Sequence, residues 1–409
     1  MTENTEHENQ QTKQRRLEFN FPMLIVRTEK FSGVFEKLGK LKFSKFISWI
    51  FLLLVPFVAG IALYLFINSL IGIISMPMAG ELIRELGPGV ILMLPGLNPI
   101  LPIVYGWVGI ICAIVIHEGA HGIIARNVNL DVKSSGLLFF LFIPIGAFVD
   151  VDEEQIKKAK PRSSLKVMAA GVGGNILVGA VCLLGVLLIV GGLSPVVEGV
   201  YINDVTDGMP AQVAGLLPED VIISLDQVKV NDINELKAIL DNKTAGDQIQ
   251  VTVARGERWQ NQISMTVNLT SSENRTVMGI SVADLMLEER LQEYRTFSLD
   301  RLAIYIVPPT LASGLTPFSD ALTPFYTHSI PYWSILANCL FWIWFVNFNL
   351  AIFNALPIYP LDGGRIFQIS LKKVAGKKMS ERKVYLTTVG VTIACVTLVV
   401  LVTALPFVL

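Results

Sequence analysis

The chain has 409 residues, 52% of them hydrophobic and only 16% charged, with a formal net charge of −1. Soluble globular domains carry about 25% charged residues. Here the charges crowd into the first forty-five positions and the stretch from Val196 to Arg301. The pattern indicates a polytopic α-helical membrane protein with one water-soluble insertion. It excludes nucleic acid as a partner, because no basic stripe is present to neutralise phosphates. Cys112, Cys182, Cys339 and Cys395 all lie in apolar runs without paired spacing. They read as small buried hydrophobes rather than a disulfide framework or thiolate ligands.

In chain order, residues 1–45 form a cytoplasmic N-terminal tail. Its first twenty positions are polar, with Gln10, Gln11 and Gln14 close together and no signal-peptide h-region, and are expected to be disordered. A helix needs about 20 apolar residues to cross hydrocarbon. Five runs qualify: Phe46–Ile74, Leu101–Ala125, Leu165–Gly192, Tyr332–Leu356 and Val384–Phe407. The shorter apolar stretches 87–99 and 302–315, broken by Pro and Gly, read as interfacial or re-entrant pieces. Residues 46–192 and 332–409 are thus two parts of one membrane domain. Between them lie an inserted domain at 193–285 and an external connector at 286–331. Lysines 37, 40, 42 and 45 precede the first span, Lys157–Lys166 follow the second, and Lys372–Lys383 follow the fourth. Basic loops stay cytoplasmic, so the insertion lies outside and the second and fourth spans both end inside.

Near the end of the second span stands Ile116-His117-Glu118-Gly119-Ala120-His121. His-Glu-x-x-His puts two imidazoles at i and i+4 on one helical face, able to share one metal, with Glu118 placed to reach a metal-bound water as general base. The alternative, helix-end polar residues satisfied by neighbours, fits poorly with half of the chain's four histidines falling in one pentapeptide of a membrane span. Two histidines leave a catalytic zinc one protein ligand short. A candidate third ligand lies after the fourth span, in Asn354-Ala355-Leu356-Pro357-Ile358-Tyr359-Pro360-Leu361-Asp362-Gly363-Gly364. The two prolines end the helix, and the glycines are expected to let Asp362 sit on a tight turn. The orientation argument puts Asp362 and the histidine pair at matching cytoplasmic depth.

Read together, these two motifs resemble the paired signature of the site-2 protease family of intramembrane zinc proteases. The resemblance implies Zn2+ held by His117, His121 and Asp362, with Glu118 as catalytic acid and base. It implies substrate or oxyanion contact for Asn354. Gly171-Val172-Gly173-Gly174-Asn175 is similar to the family's Gly-x-x-x-Asn element and nominates Asn175 as a further substrate-binding residue, although small-residue helix packing explains the glycines equally well. It also implies membrane-anchored or single-pass protein substrates, cut within the lipid bilayer in regulated intramembrane proteolysis. The single inserted domain and the lack of organellar signals suggest a prokaryotic plasma membrane. Gly136–Asp152 matches a segment that in the family forms a membrane-associated hairpin whose edge pairs with an unwinding substrate; a re-entrant loop that only packs is the alternative. Two further rivals are another membrane zinc protease completed by a later Glu, and a metal-free scaffold or transporter.

From Val196 to Val282 short β-rich runs alternate with turns, with Pro210-Ala211-Gln212-Val213-Ala214-Gly215-Leu216 between strands and a helix at Ile233–Leu240. This resembles a PDZ domain, an α+β fold. Its expected role is a steric gate or a binder of peptide ends. Three glycosylation sequons, at Asn242, Asn268 and Asn274, fall in it. His328, in the connector, reads as a solvated or interfacial residue rather than a ligand.

Overall fold

The computed structural model describes residues 17–75, 77–141, 143–272, 275–296 and 302–408. The chain forms two compact units, residues 1–182 with 341–409, and residues 183–340.

The first unit begins with β1 (Leu17–Asn20), β2 (Met23–Thr28) and α1 (Ser32–Gly39), followed by α2 (Lys42–Ser75) and α3 (Pro77–Leu86). Next come α4 (Ile103–Asn127), β3 (Val132–Phe140), β4 (Ile143–Val151), α5 (Glu153–Lys158) and α6 (Pro161–Gly191). Among the described residues, five helices are long and apolar enough to cross a membrane: Lys42–Ser75, Ile103–Asn127, Pro161–Gly191, Trp333–Ala355 and Glu381–Phe407. Helix α2 has 34 residues, about 51 Å at 1.5 Å per residue, and so outruns a hydrocarbon core of about 30 Å.

Small residues let these helices approach closely. A Cβ on Gly109 of α4 would lie 2.9 Å from the carbonyl oxygen of Trp342, and one on Gly174 of α6 would lie 2.8 Å from Ala120. One on Gly173 would overlap the Phe51 ring of α2. Any side chain at these positions would force the helices apart, which is how close packing is achieved where lipid supplies no hydrophobic drive.

Strands β1 to β4 form one antiparallel sheet in the order β1-β2-β3-β4. The hairpin expected from 136–152 is therefore half of a larger sheet that starts at Val132. Its other half comes from the tail, so the disorder expected through Asn20 is corrected for Leu17–Asn20, which form a strand. Leu17 and Phe19 of β1 pair with Val26 and Leu24 of β2, and β2 in turn pairs with the apolar β3. Positions before Leu17 lie outside the described residues. The stretch 87–99 begins with a short 3-10 turn at Pro88–Ile91, and Asn98 Nδ2 donates to the carbonyl oxygens of Val90 and Leu92 at 3.0 and 2.9 Å.

The second unit carries β5 (Ser194–Pro195), β6 (Val200–Val205), α7 (Pro210–Ala214), β7 (Val221–Leu225), β8 (Val228–Lys229) and α8 (Ile233–Asp241). Then follow β9 (Gln248–Arg255), β10 (Asn261–Asn268), β11 (Thr270–Ser272), β12 (Arg275–Val277), β13 (Ile280–Asp284), α9 (Leu287–Arg295), α10 (Leu302–Ile306) and β14 (Tyr326–Thr327). The main sheet runs β10-β9-β7-β6-β13, with β8 on β7. Val200, Ile202, Ile222, Leu225, Ile249, Val251, Val253 and Leu236 fill its core. Asp220 is 1% exposed and takes two bonds of 2.6 Å from the Arg255 guanidinium, a bidentate pair that offsets its burial. Of the sequons, Asn274 lies outside the described residues. The connector packs by short contacts: β14 pairs with β5, and Phe325 stacks on Trp259 at 4.3 Å.

The chain ends with α11 (Trp333–Ala355), α12 (Asp362–Ala375) and α13 (Glu381–Ala404).

Candidate metal centre and active site

His117 and His121 sit one turn apart on α4 and turn their rings toward the same point. Their Nε2 atoms are 3.3 Å apart. The Oδ2 atom of Asp362 lies 3.2 Å from the first and 3.1 Å from the second. All three side chains are largely buried. The remaining ring nitrogens are occupied from α6: His121 Nδ1 lies 2.7 Å from the Val167 carbonyl oxygen, and His117 Nδ1 lies 3.3 Å from Asn175 Nδ2. A carbonyl oxygen can only accept, so His121 carries a hydrogen on Nδ1, which leaves Nε2 as the nitrogen that can ligate a metal.

Asp362 Oδ2 is buried and accepts no hydrogen bond, although two ring nitrogens stand within 3.2 Å of it. Three potential ligand atoms brought this close together suit a cation. Donor atoms about 2.0–2.1 Å from one zinc at tetrahedral angles stand about 3.3 Å from each other. The three observed separations match that spacing, and two imidazoles with one carboxylate are a donor set that leaves a fourth position open. The residues present therefore fit a catalytic zinc.

Local sequence explains the placement. Pro357 and Pro360 stop α11 and α12 restarts at Asp362. Gly363 and Gly364 fall inside the first turn of α12 and have no positive φ. Their use is close approach: a Cβ on Gly363 would overlap the carbonyls of Ala355 and Leu356, and one on Gly364 the backbone of Ile358 and Tyr359. The tight turn expected of them is a helix start pressed onto the preceding loop. Gly171 makes room beside the three-residue cluster in the same way. A Cβ there would lie 2.6 Å from both His117 Nε2 and His121 Nε2.

Glu118 points from α4 to the sheet, where its Oε2 accepts from the Val149 N–H of β4 at 3.1 Å. Strand β4 is a sheet edge. That N–H therefore faces away from β3, along the side on which another strand could pair. Asn175 has no exposed surface and lies against His117. Asn354 is half-buried in the last turn of α11, its Nδ2 donating to Leu350 O at 3.0 Å, and reaches none of the other candidate residues by a hydrogen bond. Two partners escaped sequence reasoning, the Val167 carbonyl and the Val149 N–H. Both are backbone groups, which every residue has, so no residue type could signal them. In the connector, His328 Nδ1 accepts from the Ile330 N–H at 2.8 Å.

The profile of Peptidase family M50 matches residues 105–398. The chain belongs to peptidase family M50. This is the site-2 protease family, and the M50 chain described here is a zinc metalloendopeptidase and a multi-pass membrane protein. An uncharacterized protein of Methanocaldococcus jannaschii is 26% identical over 343 residues, covering 84% of this chain and 76% of its own. The zinc metalloprotease RasP of Shouchella clausii is 25% identical over 245 residues, 55% of this chain and 54% of the relative. A solved PDZ domain of the SdrC-like protein of Listeria monocytogenes is 23% identical, covering 22% of this chain and 93% of that chain with a TM-score of 0.20.

Proposed function

We propose that this M50 protease cuts transmembrane helices of membrane-anchored proteins in regulated intramembrane proteolysis, at a site formed by His117, His121, Asp362 and Glu118. The observation that carries the reading is the convergence of three potential metal-ligand atoms, with Glu118 beside them, on helices that include an apolar span. The positive-inside pattern favours this centre near the cytoplasmic face and the inserted domain outside, and the single inserted domain favours a prokaryotic plasma membrane. The functional division follows the sequence: tail 1–45, membrane parts 46–192 and 332–409, insertion 193–285, connector 286–331.

Zinc, when bound, polarises the scissile carbonyl and acidifies water. The chain's own residues do the rest. A substrate segment, once unwound, adds as a strand to the free edge of β4, where its carbonyl takes the Val149 N–H. That exchange releases the Glu118 carboxylate, which is bonded to the same N–H in the free enzyme. Glu118 then removes a proton from the attacking water and returns it to the amine nitrogen as the C–N bond breaks. Asn354 contacts the substrate backbone at the end of α11. The PDZ-like insertion acts as a steric gate against substrates that still carry bulky external domains.

Glu118→Gln tests the assignment. Purified enzyme should keep zinc at wild-type stoichiometry and lose cleavage of a membrane-anchored substrate. Cleavage at the wild-type rate would reject it.

A further inference from the structure

We propose that Asn175 is a metal-positioning residue, whose amide oxygen takes the Nδ1 hydrogen of His117 and so fixes Nε2 as the nitrogen offered to the metal. The proposal rests on the zinc-site reading above and goes beyond it, because the Gly-x-x-x-Asn resemblance suggested a substrate contact instead.

Three observations meet on one face of α6. Val167, Gly171 and Asn175 follow one another at spacings of four residues, so they form a single stripe along the helix. Val167 gives its carbonyl oxygen to His121 Nδ1 at 2.7 Å. Gly171 leaves room beside both Nε2 atoms. Asn175 meets His117 Nδ1 at 3.3 Å. The stripe thus supplies a partner for each imidazole and clear space between them.

A neutral imidazole that binds metal through Nε2 carries its hydrogen on Nδ1 and needs an acceptor there. Asn175 has such an acceptor, Oδ1, which is buried and without a partner while Nδ2 is turned toward the ring. The two amide orientations fill the same volume. With the amide turned over, Oδ1 accepts from Nδ1–H, as the Val167 carbonyl does for the second ring. A side chain with no exposed surface is badly placed to meet a substrate backbone, and well placed to hold a ring.

The test is zinc affinity of the full-length purified protein, measured by competition with a chromogenic chelator. Cobalt substitution gives a second readout of ligand geometry. Asn175→Leu removes the acceptor and should weaken zinc binding about 10- to 100-fold. Asn175→Ala, run beside it, covers the case in which leucine disturbs helix packing, and should weaken it similarly. Asn175→Asp keeps an acceptor and drops the donor, and should restore affinity to within a few-fold of wild type with a tetrahedral cobalt spectrum. Equal losses in the Asp and Leu variants would overturn the proposal, as would wild-type affinity in Leu and Ala. His117→Ala separates the two levels of the argument. If it loses zinc while Asn175→Leu keeps it, only the Asn175 assignment fails; if it too keeps zinc, the metal-site reading fails.

Discussion

Gly171→Ala is the smallest change that should empty the metal centre. The added methyl carbon would lie 2.6 Å from the Nε2 atoms of both His117 and His121. Ordinary van der Waals contact begins near 3.4 Å, so each ring, or α6 itself, must retreat by roughly 0.8 Å. Metal sites tolerate departures of about 0.2 Å in ligand distance. The displacement is about four times that tolerance, and it acts on two ligands at once. Zinc affinity should fall by more than about 100-fold, and peptidase activity with it, whereas overpacking itself costs about 1–3 kcal/mol of stability. The protein should therefore remain folded in detergent while losing its metal. Gly119→Ala, inside the His-Glu-x-x-His motif, is the matched control, because a Cβ there meets nothing within 4 Å. It should keep full zinc and gain up to about 1 kcal/mol of helix stability. The assay is metal content per chain after gel filtration, with thermal unfolding alongside. Full zinc in folded Gly171→Ala would refute the reasoning.

Val149→Pro removes the N–H that Glu118 occupies in the free enzyme and that the substrate carbonyl takes in the proposed complex, and an edge strand tolerates proline where its N–H faces off the sheet; zinc content should stay at one per chain while kcat/KM for a membrane-anchored substrate falls up to about tenfold, as loss of one neutral hydrogen bond to the substrate predicts. Asp220→Ala strands the Arg255 guanidinium in the inserted domain. It should lower that domain's stability by about 2–3 kcal/mol, less than a fully buried pair because Arg255 is 26% exposed; differential scanning calorimetry reads it. In the same domain Lys243 and the Gln250 N–H hold the Asp226 carboxyl below its ordinary range. A depressed carboxylate contributes stability that is present above its unfolded value and lost as pH falls through the folded one. The thermal midpoint should therefore drop below about pH 4, and Asp226→Asn should flatten that part of the curve.

Much of the membrane unit was legible because lipid constrains it so tightly. Five apolar runs became five long helices, displaced by no more than a few residues at either end. The cluster was legible too. Histidine and aspartate are expensive in a membrane domain, so their appearance at ligand spacing carried a meaning that the same residues on a soluble surface would lack. What escaped was whatever the backbone contributes. The tail's Leu17–Asn20 reads as the end of a polar, disordered segment, and with Met23–Thr28 it is ordered instead. It forms a hairpin whose second strand finds its other partner in Val132–Phe140, more than a hundred residues away, and pairing of that kind leaves no local period. Gly363 and Gly364 were flagged for conformational freedom and serve by close approach, which only the neighbouring turn reveals. Gly171 looked like one more small residue in a helix interface until the rings beside it were placed.

The central claim is that His117, His121 and Asp362 hold one zinc ion together. X-ray absorption at the zinc edge, recorded on purified wild-type protein and on Asp362→Ala, tests it most directly. Wild-type protein should hold one zinc per chain, bound by two imidazoles and oxygen donors. In the variant, zinc should be largely lost, or missing one protein oxygen. Undiminished zinc with an identical ligand shell in Asp362→Ala would contradict it.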